Sequence, residues 1–292
     1  MVLPFWLSIG LLSLAQGGLV ALPGTLRDAL PARLRSRRWA IVPPLSIIAF
    51  VFGARAAEHA SAQGLTYLAL VAVPLLAALA LGWLVWNAAP PRLPRAGSVL
   101  VLFALAWADR EGLVGEGAAV LLSVLSCAAL GVLIATVTPP RWLAAGILAM
   151  AAADTALVVS DLLQRPNNAL NAARPVAGLP QLQSAVFGSA VMGYGDLFIA
   201  GALGGLLAAS LGRRLQLRAA ALTALFAISF DLLFFFVDEL PATVPVALAL
   251  IATVLTRRRR SLLAVAARRR PRAAGLPAAD PQPRQPRAPA SQ

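Results

Sequence analysis

Lysine is absent from the 292 residues, histidine and cysteine occur once each, and acidic residues number only 12, so several kinds of chemistry have little to build with. His59 stands alone beside Glu58 in a short polar loop, which argues against a histidine-based metal site and against a Ser-His-Asp triad. Cys127 lies inside an apolar run, so neither a disulfide framework nor a thiolate metal cluster is available. No metal and no other cofactor is expected. Because lysine is missing, the net charge of +13 rests on arginine. The arginines fall between apolar stretches and in the C-terminal tail, a placement that fits topology signals and contact with a membrane surface rather than nucleic acid.

What is abundant is apolar sequence. Hydrophobic residues make up 59% of the chain, charged residues 13%, and mean hydropathy is +0.78, far outside the range of soluble domains. The expected fold is all-α, a polytopic membrane protein with nine transmembrane helices over 3–22, 39–53, 64–86, 97–108, 117–137, 142–163, 184–211, 215–237 and 240–256. A segment of about 20 residues crosses the ~30 Å hydrocarbon core. The first run has no basic n-region and no small-residue cleavage site, and reads as a retained helix. Pro43-Pro44 interrupts the second, and the fourth is short. Residues 164–183 read as a polar loop.

With nine spans, the basic residues gather on one set of loops: 27–38, 92–95, Arg141, 213–218 and the tail. The acids gather on the other, at Glu58, 109–116 and 238–239, with Arg165 and Arg174 as exceptions. The positive-inside rule then puts the N-terminus outside and the C-terminus in the cytoplasm. Three regions follow: 1–138 with helices one to five, 139–256 with helices six to nine, and 257–292 as a basic tail. Beyond Arg272 the tail is too poor in apolar residues to bury a core and is expected to be disordered. Arg257 to Arg260 and Arg268 to Arg272 suit anionic lipid.

The stretch Ser184 to Leu211 is expected to form one long apolar helix with Asp196 near its middle. An ionisable group at that depth is expensive and marks a functional site. Gly193 and Gly195 flank Tyr194 and leave the backbone open to close approach. The candidate partners are Asp154 and Asp161 in the sixth span and Asp231 in the eighth. At 1.5 Å per residue from the outer ends, Asp196 lies ~18 Å deep, Asp154 ~13 Å and Asp161 ~3 Å, so Asp154 matches best. Asp161 reads as a solvated helix end, and Asp231 as a structural contact to a backbone donor or Arg218. Gly201, Gly204 and Gly205 suit close helix packing, and Phe234, Phe235 and Phe236 suit lipid.

Two carboxyl groups facing each other at low dielectric cannot both be ionised. One charged and one protonated carboxyl can hydrolyse a peptide bond: the first takes a proton from water, the second polarises the carbonyl. The same residues also suit a proton-coupled transporter. An inverted internal repeat would favour that alternative, and the sequence shows none.

The run Met192-Gly193-Tyr194-Gly195-Asp196-Leu197-Phe198-Ile199 resembles the Gly-x-Gly-Asp signature of intramembrane aspartyl proteases, the class of presenilin, signal peptide peptidase and their prokaryotic homologues. That family has nine helices, with the second catalytic aspartate in this motif on the seventh and the first on the sixth, usually after Tyr. Here Ala153 precedes Asp154. The family's Pro-Ala-Leu at the ninth helix is matched by Pro241-Ala242-Thr243. The resemblance covers 142–256 and implies a presenilin-like bundle in a prokaryotic plasma membrane. It further implies Asp154 and Asp196 as the catalytic pair, substrate contacts at Gly193, Tyr194, Gly195, Pro241 and Ala242, and single-span or signal-peptide-like substrates. The same run also resembles type IV prepilin peptidases, which usually carry Lys two residues past the aspartate, where this chain has Phe198.

Overall fold

A computed structural model describes residues 3–26, 35–56, 58–85, 93–237 and 239–269, most of them helical. The expected loop arginines of 27–34, Arg92, Asp238 and the tail beyond 269 lie outside the described residues. Among the described residues ten α-helices run in order: α1 Phe5–Ala21, α2 Val42–Ala56, α3 Glu58–Leu79, α4 Leu93–Ala108, α5 Leu113–Val137, α6 Pro140–Val159, α7 Gln164–Ala172, α8 Tyr194–Ser210, α9 Arg213–Asp231 and α10 Val244–Arg269. The stretches Ala60–Leu84, Leu113–Val137, Pro140–Val159 and Arg213–Phe235 are long and apolar enough to cross a membrane, and four shorter apolar helices accompany them. This is the pattern of a helical membrane protein, in which each spanning segment satisfies its own backbone.

Helix α5 is the centre of the core. Its length is lined by buried small and branched side chains, from Ala118 to Thr136. It packs most extensively on α8, and also on α3 and α4, while α1 packs along α9. Glycine makes the closest of these approaches possible. A Cβ on Gly131 would run into the Gly201 carbonyl, one on Gly201 into the Cys127 carbonyl, and one on Gly205 into the Gly131 carbonyl. Gly204 is similarly filled by the Val20 carbonyl and the Pro23 ring. The expected packing role of Gly201, Gly204 and Gly205 is thus visible as backbone meeting backbone.

The described residues up to Thr253 form one compact unit, in which α5 and α8 share a core. The described residues from Val254 to Arg269 belong to a second unit, in which the helix continues to Arg269, so the first part of the basic tail is helical.

The largest departure from expectation is at 184–211. Rather than one helix, Ser184–Phe187 and Ala190–Gly193 form an antiparallel hairpin, β1 and β2, and α8 begins only at Tyr194. Gly188 takes φ 59, the value needed by the first central residue of a type II′ turn. The Gly188 N–H donates to Glu116 Oε2 of α5 at 2.6 Å, and the Ser189 hydroxyl donates to the Leu3 carbonyl at 3.0 Å. An apolar run with glycine at the turn and side-chain acceptors waiting for its freed N–H groups satisfies its backbone as a hairpin as well as it would as a helix. Similarly, the expected polar loop at 164–183 contains α7 and a short 3-10 turn at Val176–Gly178.

Candidate functional site

The hairpin places Asp196 in the first turn of α8 rather than in the middle of a helix, so the depth comparison that assumed a continuous helix does not hold. Asp196, at the third position of the helix, reaches back to its N-cap: its Oδ2 accepts from the Gly193 N–H at 3.2 Å, the half of a capping box that a glycine N-cap leaves possible. The Gly-Tyr-Gly-Asp run is therefore a helix start, with Gly193 as N-cap. A Cβ on Gly193 would stand 2.9 Å from Asp196 Oδ2, so glycine here gives the carboxylate its room.

Asp154 arrives from α6 and is 5% exposed. Its Oδ2 accepts from the Thr243 hydroxyl at 2.6 Å. Thr243 is fully buried and immediately precedes α10, so the third motif contributes a donor directly to the first aspartate. Asp154 and Asp196 line one cavity of about 820 Å³, and they are close enough for their charges to act on each other. The walls are mostly aliphatic and aromatic, with Asn167, Asn171 and Gln183 adding amide groups.

Of the other expected site residues, Gly193, Tyr194, Gly195 and Ala242 line this cavity, whereas Pro241 is buried beside it. Tyr194 is anchored: its hydroxyl lies 2.7 Å from Ser126 Oγ on α5. Asp231 also lines the cavity, but its partner is Ser13 of α1, whose hydroxyl donates to Oδ2 at 2.7 Å, and not Arg218, which is exposed. Asp161 is exposed, just past α6, with φ 54. Glu239 completes the acidic lining, and burial together with the charge of Asp161 pushes its carboxyl above the ordinary value. Phe234 packs edge-on against Phe5 and lines the cavity, so it is not wholly given over to lipid, whereas Phe235 and Phe236 are exposed.

Two residues of the site carry no functional mark in the sequence pattern. Thr243 was visible only as a departure from the third motif. Gln16 is fully buried in α1, and its Nε2 donates to the Ala242 carbonyl at 2.9 Å and to the Asp196 carbonyl at 3.3 Å. The available signal was its place as the one long polar side chain of an apolar helix, on the same face as Ser13. Among the described residues, no three His, Cys, Asp or Glu side chains come together as a metal set. Comparison with protein-family models, with curated proteins and with solved structures finds no match for the chain.

Proposed function

We propose that this protein is an intramembrane aspartic endopeptidase that hydrolyses peptide bonds within transmembrane or signal-peptide-like segments, with Asp154 and Asp196 as its catalytic pair. The observation that carries the reading is that these two carboxyl groups, from α6 and from the first turn of α8, share one cavity and feel each other's charge. Two such groups hold a single proton between them, which is the state that activates water and polarises a carbonyl at once. The cavity supplies the volume for an extended segment, and its apolar walls suit a hydrophobic substrate. In this reading the expected nine apolar segments all cross the bilayer as a presenilin-like bundle, in a prokaryotic plasma membrane, with the N-terminus outside and the C-terminus cytoplasmic.

A second reading, a proton-coupled transporter, draws support from Asp231 and Glu239, which extend the acidic lining beyond the pair. The two readings part in one experiment. Purified protein in detergent is given a reporter with a single transmembrane segment, and wild type is compared with Asp154→Asn, Asp196→Asn and Asp231→Asn. The peptidase reading expects cleavage that falls by at least ~100-fold in the first two variants and persists in the third. Absence of cleavage by the wild type, with proton uptake into vesicles that depends on Asp231, would favour the transporter. A prepilin-type reporter in the same assay tells the two peptidase types apart.

A further inference from the structure

We propose that Thr243 is a positioning residue that sets the direction of proton transfer, holding Asp154 as the carboxylate that receives the proton from water and leaving the shared proton on Asp196. The inference rests on the aspartic peptidase reading and adds roles to its two acids.

Thr243 occupies the N-cap position of α10. An N-cap hydroxyl ordinarily accepts from the first turn of its own helix. Thr243 instead turns its hydroxyl outward, donating to Asp154 Oδ2 at 2.6 Å. That distance belongs to the short O–H···O⁻ range. A hydroxyl donor on its oxygen favours the ionised form of Asp154. Asp196 has a weaker set, the Gly193 N–H at 3.2 Å. Both acids sit at helix N-termini, Asp196 at α8 and Asp154 against α10, so the helix dipoles do not separate them and the donors decide. Where the Pro-Ala-Leu motif carries an apolar side chain, this chain carries the donor.

The resulting step balances. Ionised Asp154 takes one proton from water while the water oxygen bonds to the scissile carbonyl carbon. Protonated Asp196 gives its proton to the carbonyl oxygen, forming a neutral gem-diol. Collapse returns a hydroxyl proton to Asp196, moves the proton of Asp154 to the amide nitrogen, and breaks the C–N bond, restoring both acids to their starting states.

Two readouts test this on the full-length chain in detergent, with thermal midpoints checking that each variant folds. In cleavage of the single-span reporter, Thr243→Val should lower kcat by ~10 to 100-fold with KM within ~2-fold, and Thr243→Ser should stay within ~3-fold of wild type. Infrared difference spectra need no substrate. The band of a protonated carboxyl should be lost in Asp196→Asn, kept in Asp154→Asn, and restored in Asp196→Asn/Thr243→Val as the proton moves to Asp154. A band lost in Asp154→Asn and kept in Asp196→Asn overturns the assignment, and so does a Thr243→Val enzyme with wild-type kcat. If the wild type cleaves nothing but the bands behave as stated, the peptidase reading fails while the placement of the proton by Thr243 stands.

Discussion

The Gln16 side chain of α1 donates to the Ala242 carbonyl at 2.9 Å, fixing the segment that leads into α10 against a helix more than 200 residues earlier in the chain. The same amide nitrogen reaches the Asp196 carbonyl at 3.3 Å, so one buried side chain ties both halves of the site together. Gln16→Leu leaves those carbonyls without their donor, a loss of about 1 to 3 kcal/mol. The expected result is a lower thermal midpoint together with a fall in reporter cleavage, whereas Gln16→Asn, too short to reach both carbonyls, should fall between Leu and wild type.

Gly193 and Gly195 flank the same tyrosine, yet their neighbours differ. A Cβ on Gly193 would press on Asp196 Oδ2, whereas one on Gly195 would make an ordinary contact with Met150 Cε at 3.7 Å. Gly193→Ala should therefore cut kcat by about tenfold or more through a displaced carboxylate. Gly195→Ala should fold like wild type, and any loss should appear in KM. Equal kcat losses in the two variants would contradict the distinction.

The α5–α8 contact should be intolerant of even one added carbon. Gly131→Ala and Gly201→Ala each insert a Cβ against the backbone of the facing helix, and overpacking of that kind costs about 1 to 3 kcal/mol. Gly18→Ala, which meets nothing within 4 Å, is the control and should melt like wild type. Thermal unfolding in detergent reads all three.

Glu239 gives a pH dependence with a definite sign. Its carboxyl is held above the ordinary 4.5 by burial and by the Asp161 charge, so the folded protein binds this proton more tightly than the unfolded chain does. Stability from this group is greatest below pH 4.5 and declines as pH rises from there through the raised folded value. Glu239→Gln should remove that decline, and Asp161→Asn should reduce it. A steeper loss of stability with pH in Glu239→Gln than in wild type would reverse the sign.

The outline of the bundle was legible because hydrophobic runs long enough to cross a bilayer leave a one-dimensional trace. All nine apolar segments contain a helix, and four of them hold a helix long and apolar enough to cross a membrane. That Asp154 and Asp196 stand out from their apolar runs was also legible, since an acid there is marked by its cost, and the two line one cavity. The hairpin was not. Residues 184–193 are as apolar as a helix, and strand was decided by a turn glycine at positive φ and by Glu116 on α5 accepting from that turn.

Composition and patterning by themselves determined that this chain folds as membrane helices around a few buried acids, because transfer of apolar and charged groups from water is a property of each residue alone. Only the tertiary structure decided that Asp196 begins a helix instead of interrupting one, that Thr243 reaches Asp154, and that Gln16 joins α1 to the Asp196 and Ala242 carbonyls. Those contacts depend on hydrogen bonds between residues distant in the chain, whose partners no local pattern specifies.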